Sequence, residues 1–484
     1  MRKTLVLVAI FVLSVTVVVL GAIKINVNPT QPESKKPNVV VIVADDLGYC
    51  DTNLYKCDEV PTPNINSIAR DGVLFPVGYV ASSVCAPSRA GLMTGRYPQR
   101  FGFEFNTGGP RRTNTEDLGL PTSEITLAQV MKDAGYTTGM VGKWHLGSTP
   151  KKQPLARGFD HFFGTFHGAT LYQDNDTPGL TTIKAEDLDE AAVFPEKRLP
   201  AIGIYKDHEL VEEKEYITDA FTREAINFIQ QHQKEPFFLY LAYTAVHTPL
   251  QATEKYLKRF ENVTNPLQKV HRAMTGALDD GVGAVLGKLK EIGLEKNTFV
   301  IFLSDNGCPD YLKDCSNFPL NGGKSTYYEG GVRVAFAMKW PDQITPGSVY
   351  AQPIIALDIL PTVAEAVGAK VPKDRVIDGV NLLPYLKSEK KSLPHELLFW
   401  KSGRNIAVRD SQWKLWKFGD NVTLFFDLPK DIGEQVNVAS QHPEVVERLS
   451  KALSDWTGQL SSPLWPSVRG RKIQADGATI ELTP

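Results

Sequence analysis

Asn38-Val39-Val40-Val41-Ile42-Val43-Ala44 runs straight into Asp45-Asp46-Leu47-Gly48. The run is apolar and β-branched with no polar alternate positions, so it predicts a strand buried on both faces, as in a parallel sheet. Comparable runs recur at Thr137–Val141, Phe237–Tyr243 and Thr298–Leu303. Helical patterns separate them. Ile217, Phe221, Ala225 and Phe228 fall on one helix face, Leu127, Val130 and Met131 precede the stop residue Gly135, and a long pattern covers Leu267–Ile292. Strands alternating with helices predict an α/β fold, a large mixed and mostly parallel sheet flanked by helices.

The chain changes character after Pro394. Short strand-like pieces at Leu397–Trp400, Ile406–Arg409, Trp413–Phe418 and Val422–Asp427 lead into an amphipathic pattern near Pro443–Leu460. A catalytic domain over 38–394 is therefore expected to carry a smaller C-terminal α+β subdomain, on an antiparallel sheet, over 395–484. At the other end, Arg2 and Lys3 precede an apolar run from Leu5 to Ile23. Residues 1–24 read as a secretory signal; a retained N-terminal membrane anchor is the alternative, because the run nears the length of a bilayer span. Residues 25–37, polar and Pro-rich, read as a linker. Export to the periplasm or extracellular space is expected. A net charge of −2 gives no sign of a nucleic-acid partner.

Five cysteines leave one over after pairing. In an oxidising compartment Cys50, Cys57, Cys308 and Cys315 are disulfide candidates. Their three connectivities stay open, with free buried thiols as the alternative. The odd one is Cys85.

Functional groups in open α/β sheets collect at the carboxyl ends of strands. Here the first strand is followed by Asp45-Asp46, the second by Lys143-Trp144-His145, the third by His247 and the fourth by Asp305-Asn306. Asp45, Asp46, Asp305 and Asn306 offer only oxygen, which suits Ca²⁺ better than zinc or copper, with Mg²⁺ second. A helix cap or turn is the ordinary reading of one Asp-Asp pair; a second set at another strand end favours the metal. Pro87 places Cys85 at a helix N-terminus, where free amides and the dipole favour anions. Arg89 lies one turn on and can point the same way. An inert cysteine opening an ordinary helix is the alternative.

Cys85-Ala86-Pro87-Ser88-Arg89 with Thr94-Gly95 resembles the signature of the type I, formylglycine-dependent sulfatases. Asp45-Asp46-Leu47-Gly48, Gly95-Arg96-Tyr97, Gly142 to Gly147, Ser304-Asp305-Asn306-Gly307 and Gly323-Lys324 through Arg333 resemble further blocks of that family, in family order. The resemblance covers roughly Pro37 to Pro341. It implies an alkaline-phosphatase-like fold and an arylsulfatase- or polysaccharide-sulfatase-like activity, with Cys85 oxidised to Cα-formylglycine. It also implies, as a partner, a formylglycine-generating or anaerobic sulfatase-maturating enzyme acting on the nascent chain. Asp45, Asp46, Asp305 and Asn306, with modified Cys85, are similar to the family's Ca²⁺ ligands. Arg89 is similar to the residue holding the formylglycine hydrate, Lys143 and Lys324 to the sulfate clamps, His145 to the residue assisting hemiacetal breakdown, and His247 to the leaving-group acid. Gly168 stands where a family serine is expected. His167 and Arg333 are substrate-side candidates.

The chemistry that the resemblance implies is consistent: one oxygen of the aldehyde hydrate attacks sulfur, and the other, losing its proton, expels sulfate. Plain cysteine or serine has a single such atom and would trap the sulfated enzyme. The competing readings are a phosphate- or phosphonate-ester hydrolase of the same superfamily and a non-catalytic binder of sulfated glycans. Intact groups at every expected catalytic position argue against the binder. Segments Leu171–Tyr205 and Asn106–Leu120 are expected to shape the pocket for a sulfated saccharide.

Overall fold

The computed structural model describes residues 36–109, 116–183, 195–419, 422–467 and 470–482. The signal or anchor segment, nearly all of the linker, and parts of both pocket-shaping segments lie outside the described residues. Among the described residues no helix is long and apolar enough to cross a membrane.

One ten-stranded sheet organises the body. In chain order its strands are β1 (Asn38–Ala44), β2 (Val73–Leu74), β3 (Thr137–Lys143), β4 (His161–Thr165), β5 (Ile204–Lys206), β6 (Glu209–Val211), β7 (Phe237–Ala242), β8 (Thr298–Ser304), β9 (Phe336–Lys339) and β10 (Ser348–Val349). Across the sheet the order is β10-β2-β9-β8-β1-β7-β3-β4-β5-β6. The centre, β8-β1-β7-β3-β4, is wholly parallel. Antiparallel pairs flank it, β8 with β9 and β9 with β2 on one side, β4 with β5 and β5 with β6 on the other. The sheet is thus mixed and mostly parallel, as its strand patterns predict.

β1 shows why both faces are apolar. Val39, Val41 and Val43 enter one hydrophobic cluster, and Val40, Ile42 and Ala44 enter the other. Each fully buried Val or Ile contributes roughly 1.5–3 kcal/mol, so a polar residue at any of these positions is disfavoured. Helices α1 (Cys85–Thr94) and α2 (Leu127–Asp133) pack residues into the first cluster, and α3 (Ile217–Gln231) and α4 (Pro266–Glu291) into the second.

Strand β11 (Leu398–Ser402), β12 (Asn405–Arg409), β13 (Trp413–Phe418) and β14 (Val422–Asp427) form a four-stranded antiparallel sheet. Leu449, Leu453 and Trp456 of helix α5 (Pro443–Thr457) share a third cluster with Trp400 and Trp416 of that sheet and with Tyr79, Ile355 and Leu357 of the body. A further hairpin, β15 (Arg471–Ala475) and β16 (Ala478–Leu482), pairs antiparallel and is announced by no apolar run in its sequence. Two disulfides, Cys50–Cys57 and Cys308–Cys315, resolve the open connectivity and leave Cys85 as the free, buried thiol.

Candidate active site

Parallel register brings the acids together. Ala44 lies opposite Ser304, and the ladder continues one step beyond both strands. Asp305 N–H donates to Ala44 O at 3.0 Å, Asp45 N–H to Ala245 O at 2.9 Å, and Val246 N–H to Asp45 O at 2.8 Å. The chain then turns: Asp46 adopts φ +59° and its N–H donates to Asp305 Oδ1 at 3.2 Å. Asp45, Asp46, Asp305 and Asn306 are all buried.

Cys85 is the first residue of α1, a helix buried along its whole length. Val84 provides no side-chain cap. Instead Asn106 reaches in from a loop, its Oδ1 accepting from Ala86 N–H at 3.0 Å; nothing local in the sequence around Asn106 signals that contact. The Cys85 thiol lies 3.6 Å from Asp45 Oδ1 and 3.9 Å from Asp46 Oδ1. Burial pushes its pKa up even though Lys143 and Lys324 pull the other way.

Three cations meet these carboxylates. Arg89 Nε and Nη2 contact Asp305 Oδ2 at 2.8 and 2.7 Å, Nη2 lies 3.7 Å from Asp45 Oδ1, and Nη1 donates to Lys143 O at 2.9 Å. Lys143 Nζ donates to Asp45 Oδ2 at 2.6 Å, and Lys324 Nζ to Asp46 Oδ2 at 2.7 Å. Asp46 is held well below the usual carboxylate range: burial opposes this, but Lys324, His247 and Lys143 outweigh it. Asp305 moves the opposite way, up to about 6, through burial and the neighbouring Asp45 carboxylate.

His145 is buried and His247 is part-buried, its side chain 14% exposed, and in both the surroundings favour the uncharged ring. His247 Nδ1 donates to Thr248 O at 2.6 Å, which leaves Nε2, 3.6 Å from Asp46 Oδ2, as the nitrogen that gains or loses a proton. Burial and Lys324 lower its pKa to about 4. Burial and the surrounding cations hold His145 well below its ordinary value, and its Nδ1 is buried without a partner. Gly168 explains how the His145 ring fits: a Cβ there would sit 2.7 Å from both Cε1 and Nε2. His167, next to Gly168, is buried, and burial lowers it to about 4. Arg333 is not brought to this cluster. Its guanidinium donates to Pro76 O at 2.7 Å and contacts Glu329 and Tyr49, placing it in the buried network that ties the body to the C-terminal sheet.

The donor set suits a hard cation. Asn306 Nδ2 donates to Asp46 Oδ1 at 2.6 Å and to Gly307 O at 3.0 Å, while its Oδ1 is buried with no partner. A buried acceptor without a donor costs about 1–3 kcal/mol, and an ion among these oxygens would satisfy it. Asp45, Asp46, Cys85 and His247 each offer a ligand atom within 4.8 Å of the others.

Comparison with known proteins accords with this arrangement. The family model described as Sulfatase matches residues 37–369, and that described as N-sulphoglucosamine sulphohydrolase, C-terminal, matches 323–459. The chain is 34% identical to the N-acetylgalactosamine-6-sulfatase of Mus musculus over 469 residues, covering 86% of this chain and 84% of that protein. It is 30% identical to the steryl-sulfatase of Mus musculus over 525 residues, covering 88% and 82%. The crystal structure of Ps i-CgsB superposes with a TM-score of 0.80 at 35% identity, covering 89% of this chain and 95% of that one, and the same protein is known in complex with k-i-k-neocarrahexaose.

Proposed function

The chain belongs to the sulfatase family and is a sulfuric ester hydrolase; from that premise we propose that it releases inorganic sulfate from a sulfated carbohydrate, using residue 85 as formylglycine and Ca²⁺ as the bound cation. The observation that carries the reading is the position of Cys85. It opens a buried helix, 3.6 Å from one of three clustered carboxylates, with two lysines and an arginine around them. Similarity to a protein known in complex with k-i-k-neocarrahexaose supports a saccharide ester as substrate.

Asp45, Asp46, Asp305, Asn306 and residue 85 would hold the cation, which supplies charge to offset that of the sulfuryl oxygens. The formylglycine hydrate supplies the attacking oxygen and a second oxygen for sulfate release. The other roles belong to unmodified side chains. Lys143 and Lys324 turn N–H donors toward the sulfuryl oxygens. Arg89, braced on Asp305 and on Lys143 O, fixes the position of residue 85. His247, whose Nδ1–H is held on Thr248 O, is the leaving-group acid only once Nε2 has also taken up a proton to give the imidazolium, and Lys324 beside it shares the role. His145, neutral and with Nδ1 unpartnered, takes the proton lost when sulfate leaves. Residues 38–394 form the catalytic domain and 395–484 the C-terminal subdomain. A maturation enzyme acts on Cys85 before folding, since the folded chain buries it, and the protein is exported.

The test has two parts. Mass spectrometry of the Cys85 peptide, from protein co-expressed with a maturation enzyme, should show the aldehyde. That protein should release sulfate from at least one member of a panel of defined sulfated saccharides, whereas Cys85→Ser should release at most one desulfated saccharide per chain and no free sulfate, the sulfuryl group staying on the serine oxygen. Sustained turnover by Cys85→Ser would overturn the mechanism.

A further inference from the structure

We propose that Arg471, on the C-terminal hairpin, is a positioning residue for Lys324; this rests on reading Lys324 as a sulfate clamp. A lysine ammonium sits on a flexible stem, so where Nζ can reach depends on where the backbone is held. Three contacts hold it here. Lys324 N–H donates to Cys308 O at 3.0 Å, and Ser325 N–H donates to Ser83 O at 2.9 Å, two residues before Cys85. The third comes from the far end of the chain: Arg471 Nη1 donates to Lys324 O at 3.0 Å.

The same guanidinium reaches a second acceptor. Arg471 Nη2 contacts Asp310 Oδ1 at 3.0 Å, inside the loop closed by the Cys308–Cys315 disulfide. Asn317 Nδ2 ties that loop to the lysine segment, donating to Cys308 O and Gly322 O at 3.0 Å each. One planar fork thus straps the lysine's own carbonyl to a covalently closed loop, while Nζ faces Asp46 at 2.7 Å. The Arg471 side chain is 24% exposed and that of Asp310 39%, so solvent screens the strap and its effect is moderate. The hairpin lies beyond residue 459, where the C-terminal family match ends.

Arg471→Ala should lower kcat/KM for sulfate-ester hydrolysis about tenfold, the order expected for a charged hydrogen bond that places a catalytic group. Arg471→Lys, which reaches one acceptor and not both, should recover part of the loss. The deciding measurement is a cycle with Lys324→Ala. If Arg471 acts through Lys324, adding Arg471→Ala to Lys324→Ala costs nothing more. Binding of inorganic sulfate, measured by calorimetry on the same four proteins, gives the answer where turnover of Lys324→Ala is too slow. Thermal unfolding of each variant checks that the body stays folded. Parent-like kinetics of Arg471→Ala, or losses that multiply in the double variant, would overturn the proposal. If Lys324→Ala is itself as active as the parent, the clamp reading falls first. If Lys324→Ala is crippled while Arg471→Ala is not, only the role of Arg471 falls.

Discussion

Asn306→Ala should separate ion binding from folding. In the ion-free protein, truncation removes the hydrogen bonds from Nδ2 to Asp46 Oδ1 and Gly307 O. Their net worth is about 0.5–1.5 kcal/mol for the neutral acceptor and about 1.5–3 for the carboxylate. Truncation also removes the buried, unpartnered Oδ1, whose desolvation costs about 1–3 kcal/mol. The terms largely cancel, leaving a net loss of about 1 kcal/mol. With the ion the balance changes. Ca²⁺ at a hundred times its Kd should stabilise the parent by about 2.7 kcal/mol. For a unit the size of Lys36–Pro484 the unfolding entropy is about 0.9 kcal/mol/K, so Tm should rise about 3 °C. Calorimetric scans of EDTA-treated protein at graded CaCl₂ read this directly. The Asn306→Ala curve should start within about 1–2 °C of the parent's and require at least about tenfold more Ca²⁺ to rise by the same amount. A variant whose Tm climbs over the same Ca²⁺ range as the parent's would refute the assignment of Asn306 Oδ1 as a ligand.

Gly168→Ala places a Cβ 2.7 Å from the His145 ring; overpacking of this kind costs about 1–3 kcal/mol, and a displaced ring should lower kcat more than Tm. Steady-state kinetics beside thermal scans check this. Arg89→Met leaves the buried Asp305 and Asp45 carboxylates short of a cation and should cost about 3–5 kcal/mol in metal-free protein, read as a lower urea midpoint that added Ca²⁺ partly restores. His395 Nε2 lies 2.7 Å from the buried Asp358 Oδ1, and although burial opposes it, Asp358 raises the histidine above its ordinary 6.5. That contribution to stability is complete below pH 6.5 and is lost as pH rises through the folded-state value. The parent's urea midpoint should therefore fall between pH 6 and pH 9 by more than that of His395→Gln; equal falls would remove the ion pair from the account.

The sheet and the site were legible to different depths, for a physical reason. Buried parallel strands such as Val39–Val43 cannot alternate, so they advertise themselves, and Asp45, Lys143 and Asp305 follow from where such strands end. β4 gives no such signal, because His161-Phe162-Phe163-Gly164-Thr165 is short and carries a glycine; parallel pairing with β3, not propensity, makes it a strand. At the edge the constraint relaxes: Glu209–Val211 is the outermost strand, with Glu209 and Leu210 exposed, and its charged residues give no strand signal.

Residues whose partners lie on distant elements were a different matter. Arg333, a substrate-side candidate, has a local pattern that fits that role as well as any other, and its contacts with Pro76 O, Glu329 and Tyr49 are not legible in it. Asn106 has no cap signature, because the helix it caps begins at Cys85, outside its own segment. Cys50–Cys57 and Cys308–Cys315 have the same separation of seven, so spacing could not choose between connectivities. Arg471 is the limiting case. In Arg471-Lys472-Ile473-Gln474-Ala475 it is one more charged residue on an alternating, half-exposed strand. A contact with Lys324 O, 147 residues away, gives it a task, and a contact between two polar groups leaves no periodicity in either segment for a reader of the sequence to find.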